Sequence, residues 1–401
     1  GAEKGEKRDV MPQQENSSSF YRDLEQRLEQ LHQQGQWREL RRSDYGLPEM
    51  TFEGTRYLNL SSNDYLGLAN DAALRGEFLS RVQDTRLGAT GSRLMTGNTL
   101  PYADFEQQLE RTYGLPALVF GSGYHANTGV LPALVSSGDL VLADRLVHAS
   151  ILDGVLASKA DFQRYRHNDY EHLETLLARN RSRYRYVWIV SETIFSMDGD
   201  RADLARLVDL KNRYEALLYL DEAHSIGTDG EDGLGMCRQA GVLEQVDVAV
   251  FPMGKAMASH GAFVLAKRPL RDYLVNTSRP MIFSTALPPV CVAWSAFVFS
   301  RMQSMAPERE RLQHNSAQLR EGLRGMGYRV LGQSHILPVV FGDNEAVLRA
   351  SAQLRAQGIW ATAIRYPTVP RGEARIRLSV SSAFSSDQIQ RILQAFDTCK
   401  R

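Results

Sequence analysis

The sequence predicts an α/β fold, with a mostly parallel sheet in a large domain and a smaller α+β domain following it. Three observations predict this. Short apolar runs recur from Ala117 onward with helical stretches between most of them: Ala117 to Phe120, Leu140 to Ala143, Tyr186 to Val190, Ala216 to Leu220, Val246 to Met253 and Ala262 to Leu265. That alternation is the pattern of βα units in a sheet covered on both faces. Two of the runs stop at polar residues, one at Asp221 Glu222 Ala223 His224 and the other at Gly254 Lys255. Parallel strands would deliver those residues to the carboxyl edge of the sheet, where open α/β folds bind ligands. Finally, Pro288 Pro289 breaks the pattern: Val290 to Gly325 then reads as one or two long helices, and strands near Ile336 to Phe341 and Ala374 to Val380 flank a helix near Asn344 to Gln357.

Ahead of the sheet, residues 1–19 are polar and charged and are expected to be a disordered leader. From Phe20 to Arg42, apolar Phe20, Leu24, Leu28, Leu31 and Leu40 among Glu, Gln and Arg predict an amphipathic surface helix. Met50 to Leu60 alternates around Gly54 and reads as a hairpin, so residues 20–60 form an N-terminal helix and hairpin segment. A polar turn at Ser61 to Leu68 opens the large domain, expected over 61–289, with a helix at about Tyr102 to Tyr113. The small domain is expected over 290–401.

Composition narrows the function. With 401 residues, 43% of them hydrophobic, the chain can bury a substantial core. Its 47 Lys and Arg balance 47 Asp and Glu, so there is no basic field to gather nucleic acid or an anionic membrane. Cys237, Cys291 and Cys399 are far apart, which argues against a disulfide framework or a cysteine-built zinc site and fits a reducing cytoplasm. No stretch has the roughly 20 apolar residues of a membrane helix.

The chemistry centres on Lys255 and Asp221. A lysine is most often a surface residue, but Lys255 follows an apolar run and precedes small Ala256, Ala258, Ser259 and Gly261. The edge of a buried sheet could keep it deprotonated and fixed for imine formation. A carboxylate such as Asp221 is what a pyridine-type electron sink needs beside its nitrogen. Phe120 to Asn127 leads from a strand into a helix through Gly121, Ser122 and Gly123, so backbone amides could face a phosphate, although a plain strand-to-helix turn reads the same way. His148 also follows a strand and could lie flat on an aromatic cofactor. The letters of Asp221 to His224 also spell a motif of nucleic-acid-dependent ATPases, but no GxxxxGK[ST] loop precedes them. No metal site is expected, since His224 and Glu222 lack a further ligand at helical spacing.

Taken together, the motifs resemble the pyridoxal-phosphate-dependent α-oxoamine synthases, which have the fold type I PLP-dependent transferase architecture. The resemblance runs from about Leu58 to Phe396 and rests on Ser62 to Leu68, Ser122 to Asn127, Asp144 to Ser150, Phe195 to Asp200, Asp221 to His224 and Gly254 Lys255. Ile282 to Pro289 and Ala363 to Pro370 with Ala374 to Leu378 look most like the 8-amino-7-oxononanoate synthase branch. This implies a cytoplasmic, homodimeric acyltransferase of biotin synthesis that condenses L-alanine with a pimeloyl thioester of coenzyme A or acyl carrier protein, decarboxylating the product. It also implies roles. Lys255 would hold pyridoxal phosphate as an imine and serve as base, Asp221 would pair with the ring nitrogen, His148 would stack on the ring, and His224 and Ser196 would bind its phenolic oxygen. Ser122, Gly123 and Tyr124 would seat the cofactor, with Thr285 reaching a phosphate from the other subunit. Arg377 and Asn63 would clamp the substrate carboxylate, and Arg365 and Arg41 would contact the acyl chain or its carrier.

Two residues depart from the family pattern. Pro252 stands where a Thr or Ser hydroxyl commonly binds the phosphate, and Tyr102 where many relatives have His. Alternatives are another α-oxoamine synthase, such as a glycine C-acetyltransferase or a long-chain acyl relative, and a non-catalytic partner that keeps the fold.

Overall fold

The computed structural model of the chain describes residues 13–400. The chain divides after Asp44 into an N-terminal unit and a body beginning at Tyr45. In the N-terminal unit a helix spans Gln13–Gln33. It begins earlier than the expected Phe20 and ends well before Arg42, because Gly35 turns left-handed (φ +67°) and Gln36 N closes back on Leu31 O at 2.8 Å. The leader expected over 1–19 is therefore helical from Gln13, and residues 1–12 lie outside the described residues.

The body opens with a hairpin of β1 (Glu49–Phe52) and β2 (Thr55–Asn59), joined by a turn at Glu53 and Gly54, both at positive φ. The hairpin belongs to the body and not to the helix before it, because β2 pairs in parallel with a strand near the far end of the chain.

The central sheet has seven strands: β3 (Ala117–Phe120), β4 (Leu140–Asp144), β5 (Asp161–Tyr165), β6 (Val187–Glu192), β7 (Leu217–Asp221), β8 (Val248–Pro252) and β9 (Ala262–Leu265). Their spatial order is β3-β9-β8-β7-β6-β4-β5, and only β9 runs antiparallel to its neighbours. The buried strands are continuous apolar runs because both faces are covered. Of this sheet, the strand missing from the sequence reading is β5, a largely polar edge strand in which Asp161 and Arg164 are exposed and only Tyr165 is fully buried.

The helix Pro289–Met302 packs on the large domain through Phe299, which meets Phe105 and Phe263 with ring centroids 6.0 Å apart in each pair. Beyond the helix Ala306–Gly325, β10 (Arg329–Val330), β11 (Ile336–Gly342), β13 (Thr362–Ile364) and β14 (Ala374–Ser379) form an antiparallel sheet in the order β10-β11-β14-β13. Between them, β12 (Ile359–Trp360) is the strand that joins β2, with Ile359 opposite Leu58. Among the described residues no helix is long and apolar enough to cross a membrane.

Candidate active site

The carboxyl edge of the central sheet carries the chemistry. Four parallel strands end there in or just before polar groups: β4 at Asp144, β6 at Glu192, β7 at Asp221 and β8 three residues before Lys255. A cavity of about 180 Å³ opens at this edge, lined by Gly123, Tyr124, Asn127, His148, Asp221, His224 and Lys255 among others.

Asp221 is buried, which pushes its carboxyl pKa up, while the Asn127 amide and the Ala223 N–H oppose that shift by donating to it at 3.1 and 2.8 Å. Asn127 is fixed in turn: Tyr219 OH donates to its Oδ1 at 2.5 Å, and its own amide also reaches Ser150 Oγ at 2.9 Å. Ser150 then orients His148. Nδ1 of His148 accepts the Ser150 N–H at 3.1 Å and lies 2.7 Å from Ser150 Oγ, so the ring is held as the tautomer with its proton on Nε2. Burial lowers the pKa of His148. Glu192 accepts the His148 N–H at 3.0 Å, and burial beside Asp221 raises its pKa well above the usual carboxylate range.

Burial lowers the pKa of Lys255, with the nearby Arg377 charge adding to the shift against Asp221 and Glu192. This favours the neutral amine that a nucleophile or base must present. Burial also drives His224 well below the usual histidine range, with Lys255 and Arg377 contributing. Its Nδ1 lies 2.8 Å from Tyr65 OH.

The small domain approaches from one side. Arg377 on β14 donates to Asn63 Oδ1 at 3.3 Å, and Tyr65 OH donates to the same oxygen at 3.2 Å. The Nε of Arg377 is buried and has no hydrogen-bond partner. Two positions earlier on the strand, Arg375 donates to Asp198 at 2.7 Å and to Met197 O at 2.9 Å. It thereby fastens the turn that carries Ser196.

A family model, aminotransferase class I and II, matches residues 55–396. The chain belongs to the aminotransferase class I and II family, and within it to the α-oxoamine synthases. The 8-amino-7-oxononanoate synthase of Chlorobaculum parvum is 47% identical over 360 residues, covering 88% of this chain and 92% of the relative. Among solved structures, a serine palmitoyltransferase from S. paucimobilis with a bound PLP-myriocin aldimine superposes with a TM-score of 0.87 at 29% identity, covering 96% of this chain and 98% of that one. An 8-amino-7-oxononanoate synthase from Francisella tularensis superposes at 0.73 with 27% identity, covering 85% and 97%.

Of the family residues expected from the sequence, the fold brings Gly123, Tyr124, His148, Asp221, His224 and Lys255 into one cavity. Ser122 stands just outside the lining and caps the helix Gly123–Leu134, accepting the His125 N–H at 2.9 Å. Asn63 and Arg377 reach the cavity through Tyr65 and His224, and Ser196 sits in the turn held by Arg375. Thr285 is exposed and bridges Ser92, away from this lining. Arg365 is half-buried in the segment after β13, and Arg41 is exposed in the separate N-terminal unit. Tyr102 is buried. Its hydroxyl oxygen accepts the Leu287 N–H at 2.8 Å.

Sequence reasoning assigned no role to Asn127, Ser150, Glu192 or His260. Glu192 had a readable signal, a carboxylate ending an apolar strand as Asp221 does. Asn127, one helical turn after Gly123, had none until β7 was placed beside it.

Proposed function

We propose that this protein is an 8-amino-7-oxononanoate synthase, which uses pyridoxal phosphate to condense L-alanine with a pimeloyl thioester of coenzyme A or acyl carrier protein in biotin synthesis. The observation that carries the chemistry is the shared buried cavity of Lys255 and Asp221, an amine biased to neutrality facing a fixed carboxylate. The choice of substrates rests on the 47% identical relative.

The residues fit the cofactor. Asp221 keeps one face toward the cavity while Asn127 and Ala223 hold it, the amide-rich start of the helix Gly123–Leu134 suits a phosphate, and Gly123 leaves room that a side chain would fill. A Cβ there would lie 3.0 Å from Pro252 Cβ. When bound, pyridoxal phosphate supplies an electron sink for the pair left as the alanine α-proton departs.

The chain's own groups do the rest. Asp221 holds a proton at the ring nitrogen, His148 covers one ring face with its orientation set by Ser150, and His224 with Ser196 binds the phenolic oxygen. Lys255 anchors the cofactor and takes the α-proton as general base. Arg377, positioned by Asn63, grips the alanine carboxylate so that its bond to Cα stands across the ring. Overall, a bond forms from alanine Cα to the acyl carbonyl carbon as the α-proton and the thiolate, which together make the thiol, are lost; the carboxylate then departs as carbon dioxide, and Cα takes up a proton in its place.

The protein works as a homodimer in this reading. Leu87, Met95, Leu100 and Phe283 are each at least 68% exposed on segments tied together by the Ser92–Thr285 bridge, and so large an apolar surface suits a second copy of the chain. Thr285 on that face would reach the partner's phosphate. Arg365 and Arg41 would meet the acyl chain or its carrier. Three free cysteines suit a reducing cytoplasm.

The test is mass-spectrometric identification of the product from alanine and pimeloyl-CoA, with Lys255→Ala as control. The expected product is 8-amino-7-oxononanoate, with turnover falling at least about 10³-fold in the variant. Preferred turnover of glycine with acetyl-CoA would assign the chain to the glycine C-acetyltransferases instead.

A further inference from the structure

We infer that His260 grips the cofactor's phosphate, supplying the donor that Pro252 lacks; the inference rests on the pyridoxal phosphate reading above. The sheet order separates two ends of the cavity. Asp221, His224 and His148 come from β7 and β4, on one side of β8. On the other side, β9 lies between β3 and β8, and Ala262 pairs with both Phe120 and Pro252. The chain entering β9 through His260 and Gly261 therefore emerges between the end of β3, which leads into the Ser122–Gly123 turn, and the end of β8, which leads to Lys255.

Close packing fixes this placement. Gly261 adopts φ +94°, and a Cβ there would lie 2.9 Å from Phe120 O. Its own carbonyl accepts the Met253 N–H, and Ser259 N donates to Met253 O, at 2.9 and 3.0 Å. The 253–261 loop is thus closed on itself, with Lys255 and His260 both lining the cavity.

Apart from the Thr285 hydroxyl that a second copy would bring, the anion's partners at this end are few. The helix Gly123–Leu134 offers first-turn amides, and Ser122, whose hydroxyl accepts the His125 N–H and keeps its own proton to donate, stands just outside the lining. Pro252 has neither an amide hydrogen nor a hydroxyl. Lys255 is committed to the imine, and no arginine lines the cavity among the described residues. His260 is exposed to the cavity and carries a ring N–H donor, so it is the side chain placed to complete the phosphate's hydrogen bonding.

The experiment measures dissociation constants of the apoenzyme for pyridoxal phosphate and for pyridoxal, which lacks the phosphate, by equilibrium dialysis. His260→Ala should weaken pyridoxal phosphate roughly tenfold or more, the scale of one hydrogen bond to a charged group, and leave pyridoxal within about twofold. His260→Gln, which keeps a donor, and the double variant Pro252→Thr/His260→Ala, which adds a hydroxyl to β8, should each recover most of the loss. If the wild type binds pyridoxal phosphate and His260→Ala binds it equally well, the inference is overturned while the cofactor reading stands. Equal weakening of both ligands would overturn it too, by showing a purely structural role. A wild type that takes up no pyridoxal phosphate would overturn both.

Discussion

Asn127 donates its side-chain amide to Asp221 Oδ2 at 3.1 Å, joining the helix that starts at the phosphate end of the cavity to the carboxylate at its ring end. In the proposed reading, one side chain thus ties together the two groups that would anchor the cofactor. Replacing it with the near-isosteric Leu leaves Asp221 Oδ2 and the Tyr219 hydroxyl buried without that partner. Urea unfolding of Asn127→Leu should show a loss of about 1–3 kcal/mol, and cofactor affinity should fall with it. An unchanged stability would mean that water replaces the amide.

Asn63 positions Arg377 while its Nε remains unpartnered, which suits the substrate-carboxylate role proposed for it. In Arg377→Ala the KM for alanine should rise roughly ten- to a hundredfold. Arg377→Lys should recover only part of this, since an ammonium cannot match a carboxylate with two parallel hydrogen bonds. The KM for the thioester should move far less, and steady-state kinetics with each substrate varied in turn checks both.

His167 ties the strand that leads to His148 to the turn that carries Ser196. Its Nδ1 lies 2.8 Å from Asp144 and its Nε2 lies 2.7 Å from Asp200. Burial works against its charge, but these two carboxylates raise its pKa to about 10. Because the folded value lies above the unfolded one, near 6.5, the stabilisation is complete below about pH 6.5 and is lost as pH rises toward 10. Urea midpoints measured from pH 6 to 10 should therefore fall more steeply for the wild type than for His167→Gln. Parallel slopes would refute the pairing.

The exposed apolar face beside Thr285 gives a prediction for assembly. Phe283→Asp places a charge where a second copy would bury Phe283, and should shift light scattering from dimer toward monomer with loss of activity. A wild type that is active as a monomer would contradict the shared site.

Much of this site was legible in the chain. Asp221 ends a strand and Gly123, His148 and Lys255 each follow one closely, so an apolar run and the polarity that ends it locate them from sequence alone. The βα alternation fixed the parallel sheet, because strands covered on both faces must be apolar throughout. The edge strand β5 escaped, since Asp161, Gln163 and Arg164 leave no apolar run to read. The N-terminal helix was misplaced by about two turns at its start and two and a half at its end, because its start lies in polar sequence and a single glycine, Gly35, decides its end.

What only the tertiary structure decided is which strand ends become neighbours. The resemblance to a family paired Asn63 with Arg377, but it is the docking of β14 beside the Ser61–Leu68 turn that brings residues more than 300 positions apart to 3.3 Å. Asn127 meets Asp221, and His260 reaches the cavity beside Pro252, through the order β3-β9-β8-β7. That order depends on crossovers between distant segments, whereas the sequence pattern reports only each strand's own two faces. The sequence by itself determined the residue types and the edge at which they gather. The sheet order decided which of them line one cavity.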